Sequence, residues 1–155
     1  MRKKRELLPK AKYHVTARAN RQEMIFESPV IKQLFIDIMV LAKTKYKFIY
    51  FNFCIMSNHI HLILQPGDNG NLSQIMQWLL SVFAKRFNKI HGYQGHVWYD
   101  RFKSSILGDI FHYLNAYIYV MRNPVEAGIV ENPADYKYNG ITFMLKGMMD
   151  LFMPS

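Results

Sequence analysis

"FIYFNFCIMSNHIHLILQP", Phe48 to Pro66, decides how this chain folds. Two short apolar runs rich in aromatic and branched residues flank Ser57-Asn58, a pair suited to a tight turn, so the stretch predicts an antiparallel hairpin. Side chains alternate along a strand. In the second run Ile60, Leu62 and Leu64 therefore face a core, and His59 and His61 share the other face, roughly 7 Å apart by strand rise. Two imidazoles on one face can aim ring nitrogens at one metal ion, or they can be ordinary polar residues on a solvated sheet face. The tripeptide alone does not decide between these.

Further elements follow on both sides of the hairpin. "KYHVTARA" (Lys12 to Ala19) reads as a first strand. "SPVIKQLFIDIMVLAKTKY" (Ser28 to Tyr46) reads as a helix, with Ser28 as N-cap and Pro29 in the first turn. "SQIMQWLLSVFAKRFNKI" (Ser73 to Ile90) is a second amphipathic helix with a basic end, followed by a glycine- and aromatic-rich loop to Phe102. "KSSILGDI" (Lys103 to Ile110) reads as a fourth strand and "FHYLNAYIYVMRN" (Phe111 to Asn123) as a third helix. Asn123-Pro124-Val125-Glu126 has the form of a new helix start, with Asn as cap and Pro at its first position. The order β-α-β-β-α-β, then α, predicts an α+β fold: a ferredoxin-like antiparallel sheet with helices on one face and a further C-terminal helix. Residues 1–155 read as one domain, with a basic arm over about 1–11 and an unassigned segment over about 131–155.

Lys plus Arg number 20 against 11 Asp plus Glu, a formal charge of +9 with pI near 9.7. That excess suits a polyanion, most often nucleic acid, although a plain solvated basic surface gives the same sum. The single cysteine, Cys54, excludes an intramolecular disulfide and fits a reducing compartment. No apolar run is long enough to span a bilayer, and the basic N-terminus has no apolar signal core behind it. These features lead us to expect a cytoplasmic protein without a membrane partner.

"YHVTARANR", "MSNHIHLIL", "WYDRFKSSIL" and "YVMRNPVEAGIV" occur in that order. Together they resemble the single-tyrosine HUH transposases, and among them the REP-associated tyrosine transposases, from about Tyr13 to about Val130. His59-Ile60-His61 matches the motif that names the superfamily. Tyr119, four residues before Asn123-Pro124, matches its downstream tyrosine signature.

The resemblance implies an enzyme that cleaves single-stranded DNA bearing hairpin or palindromic elements. Tyr119 would be the nucleophile, leaving a 5′-phosphotyrosine and a free 3′-hydroxyl. A divalent metal, Mg²⁺ or Mn²⁺, would be held by His59 and His61, with Asn123 as third ligand. No nucleotide cofactor is implied, because the phosphotyrosine ester retains the bond energy. Some relatives are homodimers that exchange tyrosine helices and others act as monomers. A phenol, with an unperturbed pKa near 10, is a weak nucleophile at neutral pH, and a metal that polarises the phosphate answers that difficulty.

At about 100° per residue, Tyr119 shares a polar helix face with His112, Asn115, Ala116, Arg122 and Asn123. Tyr117 lies about 160° away by the same arithmetic and reads as a packing aromatic. Asn123 reads equally as ligand and as helix cap. Candidate DNA-binding residues are the basic arm (Arg2, Lys3, Lys4, Arg5), Arg18, Arg21, Lys85, Arg86, Arg101 and Lys103, with Arg101 foremost because the resemblance places its loop near substrate. Trp98, Tyr99 and Phe102 either stack on unpaired bases or fix the loop to the core. His14, His91 and His96 receive no ligand role. A non-catalytic hairpin-DNA binder of the same fold is the alternative function. An RNA-binding domain of the RRM kind lacks its aromatic consensus here.

Overall fold

The structure, a computed structural model, describes residues 7–20 and 24–154. Its elements run β1 (Tyr13–Arg18), α1 (Pro29–Lys45), β2 (Phe48–Ile55), β3 (His59–Pro66), α2 (Leu72–His91), β4 (Lys103–Ile106), α3 (Ile110–Glu126) and α4 (Gly140–Leu145). Short 3₁₀ turns lie at Pro133–Asp135 and Asp150–Phe152. The strands form one antiparallel sheet in the order β2-β3-β1-β4, the ferredoxin-like arrangement that the element order implies. Among the described residues no helix is long and apolar enough to cross a membrane.

Residues paired across strands share a face, which divides the sheet into two surfaces. Tyr13, Val15 and Ala17 pair with Leu64, Leu62 and Ile60, while Tyr50 and Phe53 lie opposite Leu64 and Leu62. All are buried and form the core face. The Tyr50 hydroxyl donates to the Met39 carbonyl of α1 at 3.1 Å, which places α1 on this face. Phe26, Phe35, Phe83 and Trp98 join α1, α2 and their loops in one ring cluster, with centroids 4.9–6.3 Å apart. The opposite face carries His14, Thr16 and Arg18 of β1, His59 and His61 of β3, and Lys103 and Ser105 of β4. Helix α3 packs across β2 and β3 on that face and leaves the β1–β4 side open.

The caps read from sequence form where local chemistry allows. Ser28 accepts from the Val30 amide, and α1 starts at Pro29. Helix α2 starts one residue earlier than its periodicity implies, because Asn71 caps it through the Gln74 amide. It stops at Gly92, whose φ of 66° suits a glycine.

Three features differ from the sequence reading. Strand β4 ends at Ile106 rather than Ile110, and Asp109 caps α3 instead. Helix α3 does not break at Asn123 but runs through Pro124 to Glu126. Its stop is a Schellman motif: Gly128 at φ 75° donates to the Val125 carbonyl, and Ile129 to the Pro124 carbonyl. Proline in the last turn removes few helical hydrogen bonds, and Pro124 is buried, so packing outweighs the local breaker signal. The second Asn-Pro of the chain is the one that caps: Asn132 accepts from the Ala134 amide at 2.9 Å.

The third difference is a bulge. Tyr50 opposes Leu64 and Asn52 opposes Ile63, so Phe51 is one residue more than the register holds. Beyond it the alternation changes phase, and Asn52 turns toward α3 while Tyr50 stays in the core. The C-terminal segment, unassigned from sequence, covers the outer edge of β2. The Ile55 amide donates to the Tyr138 carbonyl, and Phe143 and Phe152 pack on Phe53. A covered edge offers no unpaired ladder to other chains.

Gly140 fits that contact closely. A β-carbon there would lie 2.4 Å from Asn52 Oδ1 and 3.3 Å from the Phe53 amide nitrogen. Gly140→Ala is expected to destabilise the protein by about 1–3 kcal/mol. A shifted urea midpoint tests this; an unchanged midpoint contradicts the contact.

Candidate active site

The β1–β3 register assembles the site. Thr16 stands opposite His61, and Arg18 opposite His59. His14, one pleat further along β1, brings its Nε2 to 3.0 Å from His61 Nδ1. The His59 and His61 rings stand perpendicular with centroids 5.0 Å apart. The Tyr119 ring lies edge-on to His61 at 5.5 Å and to His14 at 5.9 Å. Tyr119 remains 57% exposed while His61 is 5% exposed, so the phenol forms a wall of the site that solvent and a ligand can reach.

Hydrogen bonds define which histidine atoms are available. His59 Nδ1 lies 2.7 Å from Asn58 Oδ1, an acceptor, so Nδ1 donates and the lone pair falls on Nε2. His61 Nδ1 meets both His14 Nε2 and Thr16 Oγ1, at 3.0 and 3.2 Å. Donation from Nδ1 to either again leaves Nε2 with the lone pair. Burial pushes His61 down to about 3, and the neighbouring His59, His14 and Arg18 add to the shift. Burial lowers His59 as well, against the raising effect of the Asn123 side chain, and it lowers His14. Both members of the pair are therefore neutral at pH 7.

With Nδ1 as the donor on both rings, each neutral imidazole presents the Nε2 lone pair, the arrangement of metal-binding histidines. Among the described residues no three His, Cys, Asp or Glu side chains are arranged to hold a metal ion. A third protein ligand drawn from these residues would be an amide or hydroxyl. Asn123 lies in the interior of α3, one helical turn after Tyr119, and its side chain is near enough to the His59 ring to influence its protonation. No helix begins at Asn123, so the cap reading of this residue is overturned.

Helix α3 is held in place from below by a residue that sequence reasoning passed over. Asn52 is fully buried. Its Nδ2 donates to the Tyr117 carbonyl at 3.2 Å, and its Oδ1 accepts from the Phe53 amide at 2.9 Å. Tyr113 and Tyr117 turn inward: Tyr113 packs on Phe51, and the Tyr117 hydroxyl lies 3.7 Å from Met144 Sδ. Tyr117 is thus a packing residue, and Tyr119 is the one tyrosine of α3 in ring contact with the histidines. Leu114 and Ile118 are exposed, so the helix does not seat its most apolar stripe on the sheet.

The candidate DNA-binding residues separate into groups. Arg18 and Lys103 stand on the histidine face, opposite His59 and Thr16 respectively, and both are exposed. Lys85 and Arg86 are exposed on α2, which covers the other side of the sheet. Arg101 lines a 470 Å³ cavity between α2 and the loop, together with Gln77, Ser81 and Asp100, and none of the site histidines borders it. Arg21 and the arm residues Arg2 to Arg5 lie outside the described residues. Thr16 and Asn52 had no assigned role from sequence, Asn58 was read only as a turn residue, and His14 had no ligand role. Only the cross-strand register, which depends on the partner strand, brings Thr16 and His14 to His61.

Comparisons with known proteins place this sheet and its histidine-bearing face in a family. Residues 8–123 match the family model described as "Transposase IS200 like", and the chain belongs to that family. It is 29% identical over 96 residues to a Haemophilus influenzae protein provisionally named a REP-associated tyrosine transposase. That match covers 56% of this chain and 54% of the relative, so the chain aligns with about half of the relative's length. Among solved structures, the fold is similar to a REP-associated tyrosine transposase bound to a REP hairpin. The TM-score is 0.78 at 18% identity, over 99% of this chain and 88% of that one. A provisionally named transposase from Deinococcus radiodurans has a TM-score of 0.52 at 16% identity, over 82% and 97% of the two chains.

The depressed histidine has a measurable consequence. His61 binds fewer protons in the folded protein than in the unfolded chain, whose imidazole titrates near 6.5. Its contribution to stability is present above that pH and is lost as pH falls toward 3. The metal-free protein is expected to lose about 1–2 kcal/mol between pH 6.5 and 5, with a shallower slope in His61→Gln. Urea unfolding in EDTA across this range tests it; equal slopes contradict a buried neutral His61.

Proposed function

We propose that this chain is a metal-dependent single-stranded DNA endonuclease and strand transferase acting at hairpin-bearing DNA, with Tyr119 as nucleophile. The observation that carries the reading is the edge-on approach of the half-exposed Tyr119 ring to His61 at 5.5 Å. A hydroxyl at that place can reach a phosphate lying over the histidine pair. Arg18 and Lys103 add positive charge on the same face for the flanking phosphates.

In the proposed reaction the Tyr119 oxygen attacks phosphorus and the bond from phosphorus to the 3′ oxygen breaks. The products are a 5′-phosphotyrosine and a strand ending in a 3′-hydroxyl. Attack of a 3′-hydroxyl on the phosphotyrosine reverses the step and joins strands, so no nucleotide cofactor is consumed. A divalent cation on Nε2 of His59, Nε2 of His61 and the Asn123 side chain would polarise the phosphate and offset its developing charge. Mixed nitrogen and oxygen donors suit Mn²⁺ and, with more water ligands, Mg²⁺. Asn58, His14 and Thr16 orient the two rings through Nδ1. Asn52 sets the depth of the helix turn before Tyr119. The tyrosine stands over the histidines of its own chain, so this reading needs no exchanged helix. The hairpin requirement is supported by the similar fold of a REP-associated tyrosine transposase bound to a REP hairpin.

Incubation of the protein with labelled hairpin-bearing single strands and Mn²⁺ tests the reading on a denaturing gel. Wild type and Tyr117→Phe are expected to give a slow-migrating, protease-sensitive adduct, and Tyr119→Phe none. His59→Ala and His61→Ala are expected to lose cleavage by at least about a hundredfold, the scale on which oriented metal chemistry operates, while retaining hairpin binding. Cleavage at the wild-type rate by either histidine variant contradicts the metal assignment.

A further inference from the structure

Three aromatic residues of the loop before β4 separate by environment. Trp98 packs against Phe26 and Phe83 and donates from its indole nitrogen to the Leu80 carbonyl at 2.9 Å. Phe102 is buried. Tyr99 is 67% exposed. Backbone pairing shows where it stands. The Asn20 amide donates to the Val97 carbonyl at 2.7 Å and the Tyr99 amide to the Arg18 carbonyl at 2.9 Å, around a bridge between Ala19 and Trp98. This short ladder extends β1 beyond its last sheet residue. Trp98 follows Ala19 onto the core face, so alternation turns Tyr99 to the opposite face, beside Arg18. His59, Arg18 and Tyr99 thus form a row across three adjacent backbones, spaced about 5 Å apart. Its Arg18–Tyr99 end lies away from β2 and β3, the strands that α3 crosses.

We infer that Tyr99 and Arg18 form a subsite for an unpaired nucleobase next to the phosphate held at His59 and His61. This rests on the proposed reading of that pair as a phosphate site. The phenol face stacks on the base, and the Arg18 guanidinium takes the neighbouring phosphate or lies on the base from its edge. Stacking tolerates any base, so the subsite selects single-stranded over duplex DNA rather than one sequence. A paired base cannot expose the π-face that the ring needs.

The test uses binding without chemistry. Full-length protein in EDTA is titrated with short, unstructured oligo(dT) carrying one 2-aminopurine. Wild type and Tyr99→Phe are expected to bind alike and to quench the fluorophore. Tyr99→Ala is expected to bind on the order of ten- to a hundredfold more weakly, without the quench and with an unchanged salt slope. Arg18→Ala is expected to reduce the slope instead. Unfolding midpoints of all variants are measured beside the binding. Equal affinity and quench in Tyr99→Ala overturn the subsite, as does a Tyr99→Phe variant as weak as Tyr99→Ala, or no binding of oligo(dT) by wild type. Because no cleavage is read, failure of the Tyr119 reaction leaves this outcome separately legible.

Discussion

The site depends on one constraint, the register of β1 against β3. With Thr16 opposite His61 and Arg18 opposite His59, five polar side chains from two strands share one face. A slip of a single residue would send the histidines into the core and the aliphatic residues to the open face. Such a slip would bury two imidazoles among Val15 and Phe53 of the neighbouring strands, both at 0% exposure. The hydrophobic set on the core face therefore holds the polar set in alignment, and no polar contact has to do so by itself. His14 and Thr16 then follow as ring-orienting partners of His61.

The second requirement is the seating of α3. A helix crossing a polar sheet face has little apolar area to hold it, and here only Val120 and Pro124 of α3 are buried. The bulge at Phe51 resolves this by turning Asn52 out of the core and up to the Tyr117 carbonyl. Its amide is satisfied at both ends, so its burial carries no unpaired polar group. Gly140 leaves room for that side chain, and α4 and the following turn close over β2. The C-terminal segment thus supports the tyrosine from behind. Tyr119 needs to stay half exposed while keeping its distance to His61, and a clamp on the preceding turn does this without covering the ring.

Local signals were legible in the sequence, and signals that depend on a partner were not. The hairpin, the shared face of His59 and His61, and the Ser28-Pro29 start are properties of adjacent residues. The separation of Tyr119 from Tyr117 came from helical geometry and holds because α3 is regular through both. The Asn123-Pro124 boundary failed because a Schellman stop at Gly128 and the burial of Pro124 prevail over a breaker two residues before the helix end. The bulge was hidden because it exists only relative to β3. Basic residues were legible as charge but not as position: Arg18 and Lys103 meet the histidine face, and Lys85 and Arg86 do not.

The central claim is that one hydroxyl, that of Tyr119, is the atom placed to attack a phosphate over the histidine pair. Mass spectrometry of the protein after reaction with a single-stranded substrate tests it at the level of the atom. Trypsin cleavage after Lys103 and Arg122 releases one peptide, Ser104 to Arg122, that holds Tyr113, Tyr117 and Tyr119 together. Fragmentation of that peptide assigns the added nucleotide to one of them. The proposed reaction leads us to expect a 5′-linked nucleotide on Tyr119 alone. A nucleotide on Tyr117, Tyr113 or a tyrosine outside this peptide would contradict the account.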